Sequence, residues 1–141
     1  MLITNCDMYN EEQKIIFAFS PELDTAFLAE LYGDDLQQAE LIFESSGQQL
    51  RSEIALAGTK FHDGDLPGLK KVIHKMKPLF GYIGMSEVSE EFAAFEQECL
   101  AAGSPSEIES RFQNIIIITQ QSLQKADKEV KRLKQYNTKY L

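Results

Sequence analysis

The chain has no tryptophan, two cysteines and four prolines, and its acidic side chains outnumber its basic ones by 22 to 14. Cys6 and Cys99 stand far apart and fit no zinc-ligand spacing, so they read as free thiols in a reducing cytoplasm. The apolar runs Ile15–Phe19 and Ile115–Ile118 fall far short of the roughly 20 residues a membrane-spanning helix needs. No charged-then-apolar leader opens the sequence, so a secretory route is not expected. A formal charge of −8 argues against a dedicated nucleic-acid or anionic-membrane binder. Without a Walker-type or glycine-rich phosphate loop, the chain is not expected to be a kinase by itself. Neither histidine has the glutamate three residues before it that di-iron bundles require.

What is present is helical signal. With 43% hydrophobic residues in 141, the chain suits one soluble domain with a real core. Residues 1–20 are expected to form an N-terminal arm of undetermined structure, and 21–141 a helical bundle. Ser20-Pro21-Glu22 reads as an N-cap with proline at the first helical position, opening a short helix that ends near Gly33. Asp34 is expected to cap a long helix with Leu36, Ala39, Phe43, Leu50, Ile54, Ala57 and Phe61 on one face. Ser46 and Gly47 interrupt that stripe and suggest close helix approach or a weak spot. His62-Asp63-Gly64-Asp65 reads as a turn and cap, with Asp65 starting the third helix, and not as a metal loop.

The third helix carries Leu69, Ile73, Met76, Phe80 and Ile83 and stops around Gly84. Ser86 opens a fourth with Val88, Phe92, Phe95 and Cys99. Ser104-Pro105-Ser106-Glu107 has the pattern of a capping box and starts a last helix of more than 30 residues. That helix, about 50 Å long at 1.5 Å per residue, is expected to overhang the bundle with a basic end, whose cations complement the helix dipole or meet a partner. The expected architecture is all-α: an antiparallel four-helix bundle with an additional short N-terminal helix.

Helical phase singles out one histidine. At about 100° per residue, Ile73, Met76, Phe80 and Ile83 cluster around Leu69, while His74 lands about 140° away on the polar side. Its helical neighbours are Lys70, Lys71, Lys77 and Gly81. From Leu66 to Met85 there are four lysines and no acid, a local reversal of the overall charge. Ammonium groups disfavour protonation of a nearby imidazole and so favour its nucleophilic form. They would also compensate the oxygens of an arriving phosphoryl group. Gly81 leaves room for a partner surface. The alternative is a solvated cationic face with an incidental histidine.

The segment His74-Lys75-Met76-Lys77-Pro78-Leu79-Phe80-Gly81-Tyr82-Ile83-Gly84 resembles the motif of the histidine-containing phosphotransfer (HPt) domain family, with His74, Met76, Lys77, Ile83 and Gly84 in matching positions. An Asp-capped start at Asp65-Leu66, and Phe95-Glu96 where the family often has Leu-Glu, extend the likeness over roughly residues 24–125. The resemblance implies a cytoplasmic, monomeric phosphorelay intermediate in two-component signalling. His74 would be the phosphoacceptor at Nε2 and Lys77 a phosphate-stabilising residue. Glu96 would lie beside the histidine, or be a plain surface residue. The implied partners are a response-regulator receiver domain, a hybrid sensor histidine kinase, or both. Mg²⁺ is expected on the receiver, with no cofactor on this chain. Lys70 and Lys71 are expected to dock an acidic receiver surface. Pro78 departs from the family, which usually has glycine there; it removes an amide, should kink the helix, and bears on docking together with Gly81. Two other readings remain: a helical interaction module that kept the bundle and lost the chemistry, and a dimerising phosphoacceptor bundle of the histidine-kinase type.

Overall fold

The computed structural model describes residues 16–141; residues 1–15, with Cys6 and most of the N-terminal arm, lie outside the described residues. Five α-helices follow in order: α1 (Thr25–Tyr32), α2 (Leu36–His62), α3 (Leu66–Tyr82), α4 (Ser86–Ala101) and α5 (Glu109–Tyr140), the last entered through a 3₁₀ turn at Pro105–Ile108. No strand occurs among the described residues, and the fold is all-α as expected. Short turns reverse the chain between α2, α3 and α4, so α3 packs between α2 and α4, while α5 packs along α2.

The helix starts are set by aspartates. Asp24, Asp35 and Asp65 accept the amides of Phe27, Gln38 and Gly68 at 3.2, 3.1 and 2.9 Å, each satisfying a first-turn donor. Three expected starts are therefore corrected. Ser20-Pro21 forms a turn, its Oγ accepting from the Glu22 amide at 3.3 Å, and Asp24 caps α1. Asp35, not Asp34, caps α2. Ser104 caps nothing: its backbone is extended, and the tighter 3₁₀ winding after it shifts the bonding register. Glu107 accepts from the Gly103 amide instead, at 3.1 Å. Ser86 is the first residue of α4 and donates its hydroxyl to Asp24 Oδ2, joining two helix starts.

Gly84 ends α3 with φ of +75°. The Met85 and Gly84 amides donate back to the Phe80 and Gly81 carbonyls at 2.8 and 3.0 Å, a Schellman termination that a left-handed residue permits. A Cβ at Gly84 would also lie 2.6 Å from Leu28 Cδ1, so the glycine lets α1 close against the end of α3. The Asp24 amide donates to Gly84 O at 2.8 Å and the Tyr32 hydroxyl to Tyr82 O at 2.7 Å. Ser46 and Gly47 are buried in α2, but a Cβ at Gly47 would meet only the Arg51 side chain, at 3.7 Å. Close helix approach does not account for that glycine.

The core joins Phe43 and Leu50 of α2, Leu69, Ile73, Met76 and Phe80 of α3, Phe92 and Phe95 of α4, and Ile115 and Leu133 of α5. Phe80 meets Phe92, and Phe61 meets Phe112, with ring centroids 4.6 Å apart in each pair. At 32 residues, α5 is about 48 Å long, nearly twice the length of the 17-residue α3, and its last turns are sheathed. Asn137 Nδ2 donates to Leu36 O and Glu40 Oε1 at 2.9 and 2.8 Å, and Lys134 reaches Glu40 and Glu44. Residues 17–20 lie along the same region, with Phe19 stacked on Phe43 and Phe17 edge-on to Tyr136. The Ser20 amide donates to Glu129, and Arg132 donates to Ala18 O.

Removing a ring from this core leaves a cavity. Phe92→Ala should lower the unfolding free energy by about 3–5 kcal/mol, measured from urea denaturation midpoints. Leu41→Ala, at an exposed position of α2, should change it by less than about 0.5 kcal/mol.

Candidate functional site

Packing of α3 decides which side chains stay outside. Leu69, Val72, Ile73, Met76, Leu79 and Phe80 all turn inward, and the His74 side chain is left 67% exposed. A neighbouring helix then supplies what α3 lacks. Glu96 of α4 brings a carboxylate, only 8% exposed, against the histidine, with Oε2 at 2.9 Å from His74 Nδ1. Its other oxygen pairs with Lys77 Nζ at 2.7 Å. Lys77 lies three residues after His74 on α3, so both cationic or donor groups reach Glu96 from one helix face.

The carboxylate settles the tautomer. An ionised glutamate only accepts hydrogen bonds, so Nδ1 is the protonated nitrogen in this network, and in the neutral ring Nε2 is the nitrogen that carries the lone pair. Burial by itself raises the Glu96 carboxyl, but hydrogen bonds from Lys77 and His74 and the Lys77 charge outweigh it and hold the group below its ordinary value. The result is an oriented imidazole whose free nitrogen belongs to an exposed ring. Such a group can act as a nucleophile toward an electrophile delivered from outside.

The remaining expected residues surround this trio without bonding to the histidine. Lys70 and Lys71 lie one turn before His74, beside the end of α4, with no acidic partner within 4 Å among the described residues. Lys75 turns the other way, to Glu53 of α2 at 3.3 Å. Space beside Gly81 is open, since a Cβ there would meet nothing within 4 Å. Pro78 is exposed, and α3 runs through it without a break.

Sequence reasoning missed Ser89, whose hydroxyl donates to Lys77 O at 3.1 Å, just before the proline. Its spacing offered a signal: Ser89 lies seven residues before Glu96, two turns along the same face of α4. His62, Asp63 and Asp65 do not gather around a point; Asp65 caps α3 and pairs with Lys60 at 3.5 Å. Cys99 is buried, and burial together with Glu98 and Glu96 pushes its thiol up to about 11, which leaves it a poor nucleophile. No helix among the described residues is long and apolar enough to cross a membrane.

The Glu96 shift has a definite pH signature. A carboxyl held below its unfolded value stabilises the fold above the ordinary carboxylate pKa, about 4.3, and that contribution is lost as pH falls through the folded value. The stability difference between wild type and Glu96→Gln should therefore be full near neutrality and shrink below about pH 4. Urea midpoints measured from about pH 3 to 7 check this, and a difference that grows on acidification contradicts it.

No family model, curated protein or solved structure matches the chain.

Proposed function

We propose that the chain is a phosphorelay intermediate of the HPt type, in which His74 accepts a phosphoryl group from an aspartyl phosphate of a receiver domain and passes it to another. The observation that carries this reading is an exposed imidazole whose Nδ1 lies 2.9 Å from a buried carboxylate, an arrangement that suits Nε2 as the nucleophile. In the transfer, the Nε2 lone pair forms the N–P bond as the acyl phosphate O–P bond breaks and the aspartate leaves as carboxylate. The ring becomes positively charged as the bond forms, and Glu96 at Nδ1 stabilises that charge. Lys77, held within reach by Glu96, compensates the phosphoryl oxygens. Return of the group to an aspartate is the same path reversed. Phosphoryl transfer rests mainly on positioning and charge compensation, so a site this sparse suffices when the receiver brings Mg²⁺.

The carrier works stoichiometrically, one phosphoryl group per histidine, and its setting is cytoplasmic. A receiver domain or a hybrid sensor kinase is its partner, with Lys70 and Lys71 facing the acidic surface around the aspartate. Four long helices close the bundle within one chain, which favours a monomer over a dimerising phosphoacceptor of the histidine-kinase type.

Pro78 favours a second reading. It takes away the amide that would bond the His74 carbonyl and stands where the HPt pattern has glycine. In an interaction module of that kind, partner binding survives His74→Gln and phosphate is never carried.

Incubation with a phosphorylated receiver domain should transfer acid-labile, base-stable phosphate to the chain, and His74→Gln should carry none. Lys77→Ala should slow the transfer by about 10–100-fold. Label that persists in His74→Gln, or no label on wild type, overturns the phosphocarrier reading.

A further inference from the structure

The seam between α3 and α4 does not end at the histidine. One turn before His74 it opens into a groove of about 410 Å³ between the start of α3 and the end of α4. Leu66, Pro67, Leu100 and Ala102 line it, and Lys70 and Lys71 stand at its lip. Leu100, at the edge of this trough, is 58% exposed. The two lysines stand side by side at this edge without an acid among the described residues to neutralise them. Lys60, Lys75, Lys77, Lys125 and Lys134 have an acidic partner within 4 Å; Lys70 and Lys71 have none among the described residues, as is also true of Lys128, Lys131 and Lys139 on α5, and of these five only Lys70 and Lys71 border this trough.

An apolar trough with unpaired cations along one edge specifies its complement. The occupant needs an apolar side chain to fill the trough and carboxylates placed to meet two ammonium groups. Neither inorganic phosphate nor an extended polar strand offers both. A helix does, because side chains three and four apart present an apolar stripe flanked by acids on one face.

We propose that the groove between the start of α3 and the end of α4 is a docking site for an acidic amphipathic helix of a partner protein. The helix lays an apolar side chain against Leu66 and Leu100 and pairs its flanking carboxylates with Lys70 and Lys71. Neither His74 nor Glu96 lines the trough, so docking there needs no phosphoryl transfer, although the helix shares Lys70 and Lys71 with the receiver surface proposed above. It places whatever is bound one helical turn from the imidazole.

The test uses the full chain and a fluorescein-labelled synthetic helix with leucines at i, i+3, i+4 and i+7 and glutamates on the flanks. A second helix, with lysine in place of every glutamate, serves as the control. The acidic helix should bind by fluorescence anisotropy, and the basic one about tenfold more weakly or worse. Lys70→Glu with Lys71→Glu, and separately Leu100→Asp, should each weaken binding by about tenfold or more. All three positions border solvent, and unchanged thermal unfolding will show that the variants fold. Amide shifts on binding should cluster at residues 66–71 and 99–102. His74→Gln should bind as wild type does, so a failure of phosphate transfer leaves this result standing, and the reverse holds as well. Equal binding of both helices, shifts clustered elsewhere, no binding, or full binding by Leu100→Asp overturns the proposal. So does competition by a saturated fatty acid at least as tight as the helix, which would make the trough a lipid site.

Discussion

Glu96 sits in the seam between α3 and α4 with each carboxylate oxygen already engaged, one by His74 Nδ1 and the other by Lys77 Nζ. A buried carboxylate needs that double compensation, because leaving either oxygen without a donor would carry the full desolvation cost. The packing of Phe92 and Phe95 fixes where α4 runs, and so where the carboxylate lies. Once it is placed, the orientation of the imidazole, its protonated nitrogen and the position of the nearest ammonium group follow without further choices. The site is therefore set by helix packing more than by any local loop.

Some of this was open to reading from the chain itself. The phase of Leu69, Ile73, Met76 and Phe80 put His74 outside, because a helix that buries one stripe must expose the opposite one. Asp65 was readable as a cap for the same local reason. The tertiary part was not. Spacing along α3 brings Lys77 near His74, but only the approach of α4 pairs that lysine with Glu96, and only the approach of α2 pairs Lys75 with Glu53. Caps failed where two acceptors compete within a residue or two. Asp34 and Asp35 are equivalent in composition, and the turn after Gly33 selects the second. At Ser104 a 3₁₀ start replaced the α-helical one that the capping pattern assumes.

The average charge of −8 hides a division of labour among the cations. Several are tied to acids on adjacent helices: Lys75 across α3 and α2, Arg51 across α2 and α5, Lys134 across α5 and α2. Surface pairs of this kind contribute little individually. Five lysines are left without an acidic partner among the described residues, and two of these, Lys70 and Lys71, stand together at one end of the α3–α4 seam. The remaining uncommitted lysines lie on the exposed side of α5, so positive charge on this acidic chain is local and not spread evenly.

The two ends of α3 are held very differently from its middle. Asp65 secures the first turn; at the other end the carbonyls of Phe80, Gly81 and Tyr82 are taken up by the Met85 and Gly84 amides and the Tyr32 hydroxyl. Between them Pro78 withholds the amide that the His74 carbonyl would accept, and Ser89 steadies Lys77 O from the next helix. The helix is thus a beam clamped at both ends with its one missing rung under the histidine. The turn that carries the imidazole is therefore held by its neighbour α4, through Glu96 and Ser89, more than by the bond ladder of its own helix.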